Sequence, residues 1–231
     1  MTAIDTGEIR YERKFVDTHV GLSAAERIVK LHPAIFVRAF PNRSVNNIYL
    51  DTPGLDFFKD HANGSYQRYK LRVRWYGELF GLVKNPVLET KAKRGLVGHK
   101  NRFPLRPFRF DDGFDFADLL DNLRSAGLPA RIRVRIEQCS PSLVNRYARQ
   151  YFVSADGKYR VTLDYRLRFA GIKNSGTAFL QRLAGSSTII ELKYAKEDEN
   201  GADRIANFLP FRLTRNSKYL QGICMTRQVQ Q

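Results

Sequence analysis

The stretch Tyr69-Lys70-Leu71-Arg72-Val73-Arg74-Trp75 alternates basic and apolar side chains over its length. Successive side chains of a β-strand point to opposite faces, so a strand here carries Lys70, Arg72 and Arg74 on one side. Like charges close together destabilise a sheet, and a solvated face therefore usually mixes charge signs. An unmixed row of cations indicates an anion-binding face. With no acidic residue between Arg72 and Arg74 on that face, we expect them to repel each other in the ligand-free protein.

The same alternation recurs in four other stretches, which we predict to be strands. Three of them contain Glu-x-Lys pairs, at Glu12/Lys14, Glu89/Lys91 and Glu191/Lys193. A closed barrel has one interior, into which alternate residues of every strand point. If these strands close, their charged faces converge on one lumen lined mostly by lysine and arginine; the alternative is that each stripe is a solvated outer face. The four stretches are 10–15, 87–93, 159–169 and 189–194.

Composition limits the class of partner. Lysine and arginine number 39 against 23 aspartates and glutamates, and the net charge of +16 indicates a polyanion such as nucleic acid, an acidic membrane face or phosphates. The cations are spread over many short segments, which argues against a basic-tail nucleic-acid protein. A hydrophobic content of 43% over 231 residues supports a folded domain with a real core.

Other features concern cellular context. Cys139 and Cys224 form no C-x-x-C pair, so neither a disulfide framework nor a zinc site is indicated. Residues 1–15 are too polar for a signal peptide, and no apolar run approaches membrane-spanning length. We therefore expect a soluble, cytoplasmic protein. No repeat or linker divides the chain, so residues 1–231 are predicted to form a single domain.

The predicted fold class is α+β, an antiparallel β-barrel with flanking helices. Ser23 and Glu26 have the spacing of a capping box at the start of a helix whose apolar stripe would cover the sheet. Residues 131–137 alternate arginine with isoleucine or valine, which predicts a strand. Residues 171–187 are predicted to be a loop or short helix, and 195–201 a polar loop. Further helices are predicted at 55–62, 114–126, 202–209 and 217–225.

The motifs of several enzyme classes are missing from the sequence. It contains no nucleophile elbow, P-loop, H-E-x-x-H motif or dinucleotide fingerprint, and the four histidines show no metal-ligand spacing. Any catalysis must therefore come from lysine, arginine and carboxylates. These side chains suit phosphoryl transfer, in which cations neutralise phosphate oxygens and a divalent metal held by hard oxygen ligands bridges phosphates.

Eight short motifs occur along the chain: RYERKF (10–15), YLDTP (49–53), KLRVR (70–74), LETK (88–91), YARQYF (147–152), TLD (162–164), IELKY (190–194) and SKYL (217–220). Their order resembles that of VTC domains over nearly the whole chain. VTC domains are the polyphosphate polymerase domains of the triphosphate tunnel metalloenzymes, also called CYTH-like proteins. The resemblance implies an antiparallel β-barrel tunnel that binds ATP or another nucleoside triphosphate and a divalent metal, Mn²⁺ or Mg²⁺.

The resemblance also implies roles for individual residues. The catalytic set would be Arg72, Arg74, Lys91 and Arg149. Glu191 would be the metal ligand, and Glu12, Glu89 and Asp164 would either join it or orient the cations. The phosphate-binding residues would be Lys14, Lys70, Arg72, Arg74, Lys91, Arg149, Lys193, Arg215 and Lys218.

Two departures from the family patterns bear on the reaction. Hydrolases of this superfamily tend to carry E-x-E-x-K on the first strand, whereas this chain has Arg10, Glu12 and Lys14 at the matching positions. Exchanging an acid for a base removes a metal ligand and favours a longer polyanion, which fits a polymerase. Arg215 stands where these polymerases carry lysine, a change that keeps the charge and alters the geometry.

Three functions are compatible with these residues. The leading hypothesis is a metal-dependent polyphosphate polymerase that passes the γ-phosphate of ATP to an inorganic polyphosphate chain. The second is a triphosphate or polyphosphate hydrolase of the same fold, with a water held by a carboxylate such as Glu89. The third is a non-catalytic polyanion-binding module; nucleic acid is disfavoured because Tyr69, Val73 and Trp75 lie opposite the cations. The reaction direction, preferred metal, acceptor, oligomeric state and any membrane-associated partner proteins stay open at this point.

Overall fold

The computed structural model of the chain is a mixed α+β structure, as the sequence predicts. It describes residues 10–94, 97–111, 114–172, 180–185 and 187–228. The helices are α1 (Leu22–Lys30), α2 (Asp56–Ala62), α3 (Phe116–Arg124), α4 (Ala130–Glu137), α5 (Glu199–Phe208) and α6 (Lys218–Gln228). The strands are β1 (Arg10–Asp17), β2 (Val37–Asp51), β3 (Gln67–Tyr76), β4 (Gly81–Val83), β5 (Val87–Arg94), β6 (Val97–Pro104), β7 (Phe108–Phe110), β8 (Ser140–Val153), β9 (Arg160–Gly171), β10 (Leu180–Gly185), β11 (Thr188–Ala195) and β12 (Arg212–Leu213).

Ten of these strands form one antiparallel sheet. Its order is β12-β1-β11-β9-β8-β2-β3-β5-β6, with β10 paired to β9, and β4 and β7 form a separate pair. Within the described ranges, β12 and β6 are edge strands and no ladder joins them. The main strand order is therefore open at both ends, instead of forming the continuous ladder of a closed barrel.

Helices cover the outer, apolar face of the sheet in two layers. In one layer, α1 and α5 bury Val29 and Ile205 against β1, β9 and β11. In the other, α3 and α4 bury Leu119 and Ile136 against β2, β3 and β5. The apolar side of the opening stretch, with Val73 fully buried, lies in this second layer. None of the described helices is long and apolar enough to cross a membrane.

The inner face of the sheet carries a third apolar cluster at the position of α6. Tyr219 and Ile223 of α6 pack with Leu143, Phe169 and other inward side chains of β2, β8, β9 and β11. Tyr219 donates a short hydrogen bond to the carboxylate of Asp51. That carboxylate also accepts the backbone N–H groups at the start of α2, so it ties α2 and α6 to the end of β2. α6 therefore fills one part of the inner face and leaves the charged part to the site described below.

The predicted strand at 131–137 is wrong, because these residues form α4. The alternation of isoleucine, valine and arginine places apolar residues at i, i+2 and i+4. Ile132 and Ile136, four apart, share one helical face and are buried, whereas Val134 is exposed. An alternation over so few residues is compatible with a strand and with a helix. Packing against α3 selects the helix.

Three further local predictions are corrected. Ser23 lies inside α1 and caps nothing; Gly21 is the N-cap residue and Asp17 accepts the N–H groups of the preceding loop. Residues 180–185 form β10, whose pairing with β9 is a long-range contact that local sequence does not encode, and 173–179 and 186 lie outside the described residues. The segment 195–201 contains a 3₁₀ turn and the start of α5 instead of a loop.

Candidate active site: a cationic tunnel

The inner face of the sheet carries most of the predicted site residues. The register pairs Lys14 of β1 with Glu191 of β11, and Arg72 of β3 with Glu89 of β5. Residues two apart on each strand share this face, and α6 contributes its first residue. The predicted residues brought together here are Glu12, Lys14, Lys70, Arg72, Arg74, Glu89, Lys91, Arg149, Asp164, Glu191, Lys193 and Lys218.

The sheet rolls up so that distant strands face each other. Strands β1 and β3 are five positions apart in the sheet, which is roughly 24 Å if the sheet were flat. Yet the Lys14 Nζ donates to the carbonyl oxygen of Asn216 at 3.2 Å, and the Lys70 Nζ donates to the Oγ of Ser217 at 2.9 Å. Consecutive residues are only 3.8 Å apart between Cα atoms. The segment before α6 therefore bridges the two strands across a tunnel.

Glu89 is the centre of one cluster of charges. Its Oε2 accepts from the Nε and Nη2 of Arg72 at 2.9 and 2.6 Å and lies 3.3 Å from Nη1 of Arg74. Its Oε1 lies 3.0 Å from both the Nζ of Lys100 and the Nε of Arg102. Only 4% of the Glu89 side chain is exposed. Burial acts to raise the pKa of this carboxyl, but the charges of Arg72 and Arg74 outweigh it and hold the pKa well below its usual range.

The structure therefore corrects the prediction that Arg72 and Arg74 repel each other in the ligand-free protein. No acid separates them along β3, but the carboxylate of Glu89 reaches both from the neighbouring strand. The relevant partner is set by the register between β3 and β5, which the alternation within one strand does not specify.

Asp164 and Glu191 are the centre of a second cluster. Arg149 donates to both oxygens of Asp164, from Nε at 2.5 Å and from Nη2 at 2.6 Å, and Lys218 lies 2.5 Å from the same carboxylate. Glu191 lies 2.9 Å from Lys193 and 3.4 Å from both Arg149 and Lys218. Burial opposes ionisation, but these cations hold the pKa of both carboxyls low. Both acids are thus ionised partners of a dense cationic group.

Tyr147 of β8 joins the two clusters. Its hydroxyl accepts from the Nη2 of Arg74 at 3.2 Å, and its ring lies under the guanidinium of Arg149 at 5.4 Å and the ammonium of Lys218 at 4.9 Å. One side chain thus contacts cations from β3, β8 and α6. The two clusters therefore belong to a single cavity.

Glu12 and Glu191 are two carboxylates that share a cation, Lys14, at the inner face near β1. The Lys14 Nζ lies 2.9 Å from Glu12 and 3.5 Å from Glu191. Burial and the neighbouring charge of Glu191 act to raise the pKa of the Glu12 carboxyl, but the charges of Lys14, Lys193 and Lys91 outweigh both and lower it. Among the described residues, no three histidine, cysteine or acidic side chains converge as a preformed metal cage. Two carboxylates among basic side chains nevertheless provide the hard oxygen donors that Mg²⁺ and similar ions prefer.

A row of three lysines crosses three strands, and among the described residues only Lys100 pairs with an acid, Glu89. Lys70 of β3 is directly opposite Lys91 of β5, which is directly opposite Lys100 of β6. Within the described ranges, no carboxylate lies within 4 Å of the Lys70 or Lys91 ammonium. Burial, together with the charges of Lys14 and Lys91, lowers the pKa of Lys70 to about 7. Burial also lowers the pKa of Lys100 to about 7, against the attraction of Glu89.

Arg215 differs from the other predicted residues. Its side chain is exposed and, in the described part of the chain, forms no ion pair or hydrogen bond. Its assignment to the phosphates stays a prediction.

The sequence did not predict Lys100 and Arg102 as site residues, although Lys100-Asn101-Arg102 shows the same alternation. It also gave no signal that Tyr147 joins the two clusters.

Comparison with known proteins gives one family and a set of similar folds. A model of the VTC domain matches residues 10–227, whereas no curated protein matches the chain significantly. A Pyrococcus horikoshii protein is 16% identical, with a TM-score of 0.50 over 94% of this chain and 99% of that one. A candidate adenylate cyclase from Vibrio parahaemolyticus is 12% identical, with a TM-score of 0.50 over 91% and 95%.

A third similar structure is a candidate adenylyl cyclase from Hippeastrum with a dominant triphosphatase activity. It is 16% identical to this chain, with a TM-score of 0.52 over 96% of both chains. At these identities the likeness shows the fold alone. It confirms the predicted α+β tunnel fold with its large antiparallel sheet.

Proposed function

The chain belongs to the VTC domain family, and on that premise we propose that it is a metal-dependent polyphosphate polymerase. The reaction passes the γ-phosphate of ATP to the end of an inorganic polyphosphate chain. ATP, or another nucleoside triphosphate, and polyphosphate are then its two polyanionic substrates. The catalytic and phosphate-binding residues are those predicted above, and this assignment is part of the proposal.

The row Lys70–Lys91–Lys100 is the observation that carries this proposal. Like charges directly opposite each other on a sheet are destabilising, so the row is costly in the ligand-free protein. Lys70 and Lys91 of this row add to two other cationic clusters, one around Glu89, to which Lys100 also belongs, and one around Glu191. A single triphosphate needs fewer cations than these three groups supply. Two polyanions side by side, a donor and an acceptor chain, use them all.

The chemistry needs little from the protein beyond position and charge. The attacking group is a phosphate oxygen that is already ionised at neutral pH, so no general base is required. Arg72, Arg74 and Arg149 are oriented by Glu89 and Asp164, so their donors are in place before substrate binds. Preorganised cations of this kind stabilise the charge that spreads over the transferring phosphoryl oxygens.

Glu191 and Glu12 are the residues we propose as metal ligands. They are adjacent, both contact Lys14, and both present hard oxygen donors. A bound Mn²⁺ or Mg²⁺ ion supplies charge neutralisation at the phosphate oxygens. Both oxygens of Asp164 and of Glu89 lie within 3.0 Å of basic groups, whereas the nearest basic groups to the Oε1 of Glu191 lie at 3.4 and 3.5 Å. We therefore propose that Asp164 and Glu89 orient cations.

The hydrolase alternative is less well supported by the same contacts. It requires a carboxylate such as Glu89 to hold an attacking water. Both oxygens of Glu89 are already within 3.0 Å of basic groups, from Arg72 on one side and from Lys100 and Arg102 on the other. A carboxylate surrounded by cations and ionised this strongly is a poor proton acceptor.

Incubation of the pure protein with ATP and Mn²⁺ tests the proposal. The products are separated on a gel that resolves phosphate chain lengths. Long chains are expected. Orthophosphate alone identifies a hydrolase, and unchanged ATP identifies a binding module.

Glu191→Gln tests the metal assignment, since it removes a charge with little change in volume. We expect it to abolish metal-dependent turnover while the protein stays folded, because the tunnel retains Glu12, Glu89 and Asp164. Glu197→Gln, at an exposed position outside the tunnel, is the matched control and should keep full activity. Full activity in Glu191→Gln removes Glu191 from the site.

We propose that residues 1–231 act as one domain and that the reaction takes place in the cytoplasm, where ATP is available. Membrane-associated proteins are proposed partners, and nucleic acid is not. Co-purification of the tagged protein with membranes, compared before and after a high-salt wash, tests the partner.

A further inference from the structure

Four side chains form a second, aromatic feature on the inner face, here called the aromatic ledge: Phe40 and Arg43 of β2, Tyr76 of β3 and Tyr151 of β8. The guanidinium of Arg43 lies 5.1, 5.6 and 5.7 Å from the ring centres of Phe40, Tyr76 and Tyr151. Phe40 and Tyr151 meet edge to face at 5.7 Å. Phe40 is 52% exposed and Tyr76 is 49% exposed, so the ledge is open to solvent.

The backbone of β2 is irregular where it builds this ledge. Residues three apart on a regular strand point to opposite faces. Phe40 pairs with Tyr151 and Arg43 pairs with Arg149, so three residue steps on β2 are matched by two on β8. The extra residue turns Arg43 to the same side as Phe40. Bulges of this kind re-aim side chains next to functional sites, and a second one lies between Arg38 and Phe40.

The ledge is continuous with the phosphate site. Tyr151 is the next inward residue after Arg149, whose guanidinium lies 5.9 Å from the Tyr151 ring. Arg43 is the cross-strand partner of Arg149. Within the described residues, no carboxylate lies within 4 Å of Arg43, so its charge and its five donors stay available to a ligand.

We propose that the aromatic ledge binds the nucleobase of the nucleoside triphosphate whose phosphates occupy the tunnel. The inference rests on the proposed function only in taking a nucleotide as the tunnel ligand. A base stacks on the exposed rings of Phe40 and Tyr76, since aromatic side chains accept the flat face of any base. The Arg43 guanidinium lies at the same place and donates to base oxygens or ring nitrogens. The aromatic ledge is small, and the cationic face of β3 carries no other exposed aromatic side chain. The ledge therefore suits a single base.

Binding of ATP compared with inorganic tripolyphosphate tests the ledge, because only ATP carries a base. Dissociation constants are measured by calorimetry with Mn²⁺ for the unaltered protein and for Phe40→Leu and Tyr76→Leu. We expect each variant to bind ATP about 10-fold more weakly and to bind tripolyphosphate unchanged. Phe208→Leu, at a 60% exposed aromatic on α5 outside the tunnel, is the matched control and should change neither constant.

Unchanged ATP binding in both ledge variants overturns the proposal. An equal loss of affinity for ATP and for tripolyphosphate also overturns it, because that result assigns the ledge to the phosphate chain or to the fold. The outcome is separate from that of the polymerase test. If the ledge variants lose affinity for ATP alone and the protein forms no polymer, the ledge assignment stands and the polymerase is rejected. If the protein forms polymer and the ledge variants bind ATP with unaltered affinity, the polymerase stands and the ledge assignment is rejected. Failure of the unaltered protein to bind ATP overturns both.

Discussion

Replacement of Glu89 by glutamine removes the counterion of four basic side chains at once. The carboxylate accepts from Arg72, Arg102 and Lys100 and lies 3.3 Å from Arg74, with 4% of its side chain exposed. An amide keeps the volume, but its NH₂ group is a donor facing other donors. Glu89→Gln therefore leaves Arg72, Arg74 and Arg102 with no carboxylate within 4 Å among the described residues.

The expected loss of unfolding free energy in Glu89→Gln follows from the burial of these groups. Breaking a buried ion pair by removing one partner costs about 3–5 kcal/mol. Lys100 and Arg102 are 35% and 43% exposed, so water screens their share, whereas Arg74 is only 7% exposed. We therefore expect a loss at the lower end, about 3 kcal/mol. For a chain of this size that lowers the Tm by roughly 6–12 °C.

Thermal unfolding with a chelator present, with and without tripolyphosphate, measures this effect. The ligand restores negative charge to the tunnel, so the rise in Tm on adding tripolyphosphate should be larger in Glu89→Gln than in the unaltered protein. Glu137→Gln, which breaks an exposed pair with Arg124, is the matched control and should leave the Tm unchanged. An unaltered Tm in Glu89→Gln refutes the counterion role, and a smaller tripolyphosphate shift shows that Glu89 acts on the ligand.

Two other predictions concern the lysine row and α6. Lys70 and Lys100, each with a pKa of about 7, should take up protons when tripolyphosphate binds, so the affinity for tripolyphosphate should fall as pH rises above 7. Calorimetry in two buffers detects the proton uptake, which Lys70→Met should reduce and Lys59→Met should leave unchanged. The pKa of Lys70 in the folded protein lies below its unfolded value of about 10.4, so the charged form of Lys70 opposes folding. This free-energy penalty is complete below pH 7 and falls to zero as the pH rises from 7 to about 10.4. Gly222→Ala places a Cβ 2.6 Å from Phe169, so it should cost about 1–3 kcal/mol in denaturant unfolding, whereas Cys224→Ala on the exposed side of α6 should cost nothing measurable.

The face that each strand residue occupies was predictable from the sequence. Side chains alternate along any strand, so the pattern around Arg72 places the cations on one side and Val73 on the other without knowledge of the fold. The same reasoning placed Lys14, Glu89 and Glu191 on matching faces of separate strands, and the structure brings them to one tunnel. The pattern failed at 131–137, where apolar residues at i and i+4 fit a helix as well as a strand.

Tertiary structure alone decided which charges meet. Glu89 reaches Arg72 and Arg74 through the register of β3 and β5, and Lys218 enters the tunnel because α6 packs against the inner face. The bulge that turns Arg43 toward Phe40 also depends on the pairing of β2 with β8. A periodic pattern fixes directions within one element, since it reflects local backbone geometry. Register, the rolling of the sheet and the docking of helices are set by contacts between residues far apart in the chain, and no local pattern encodes them.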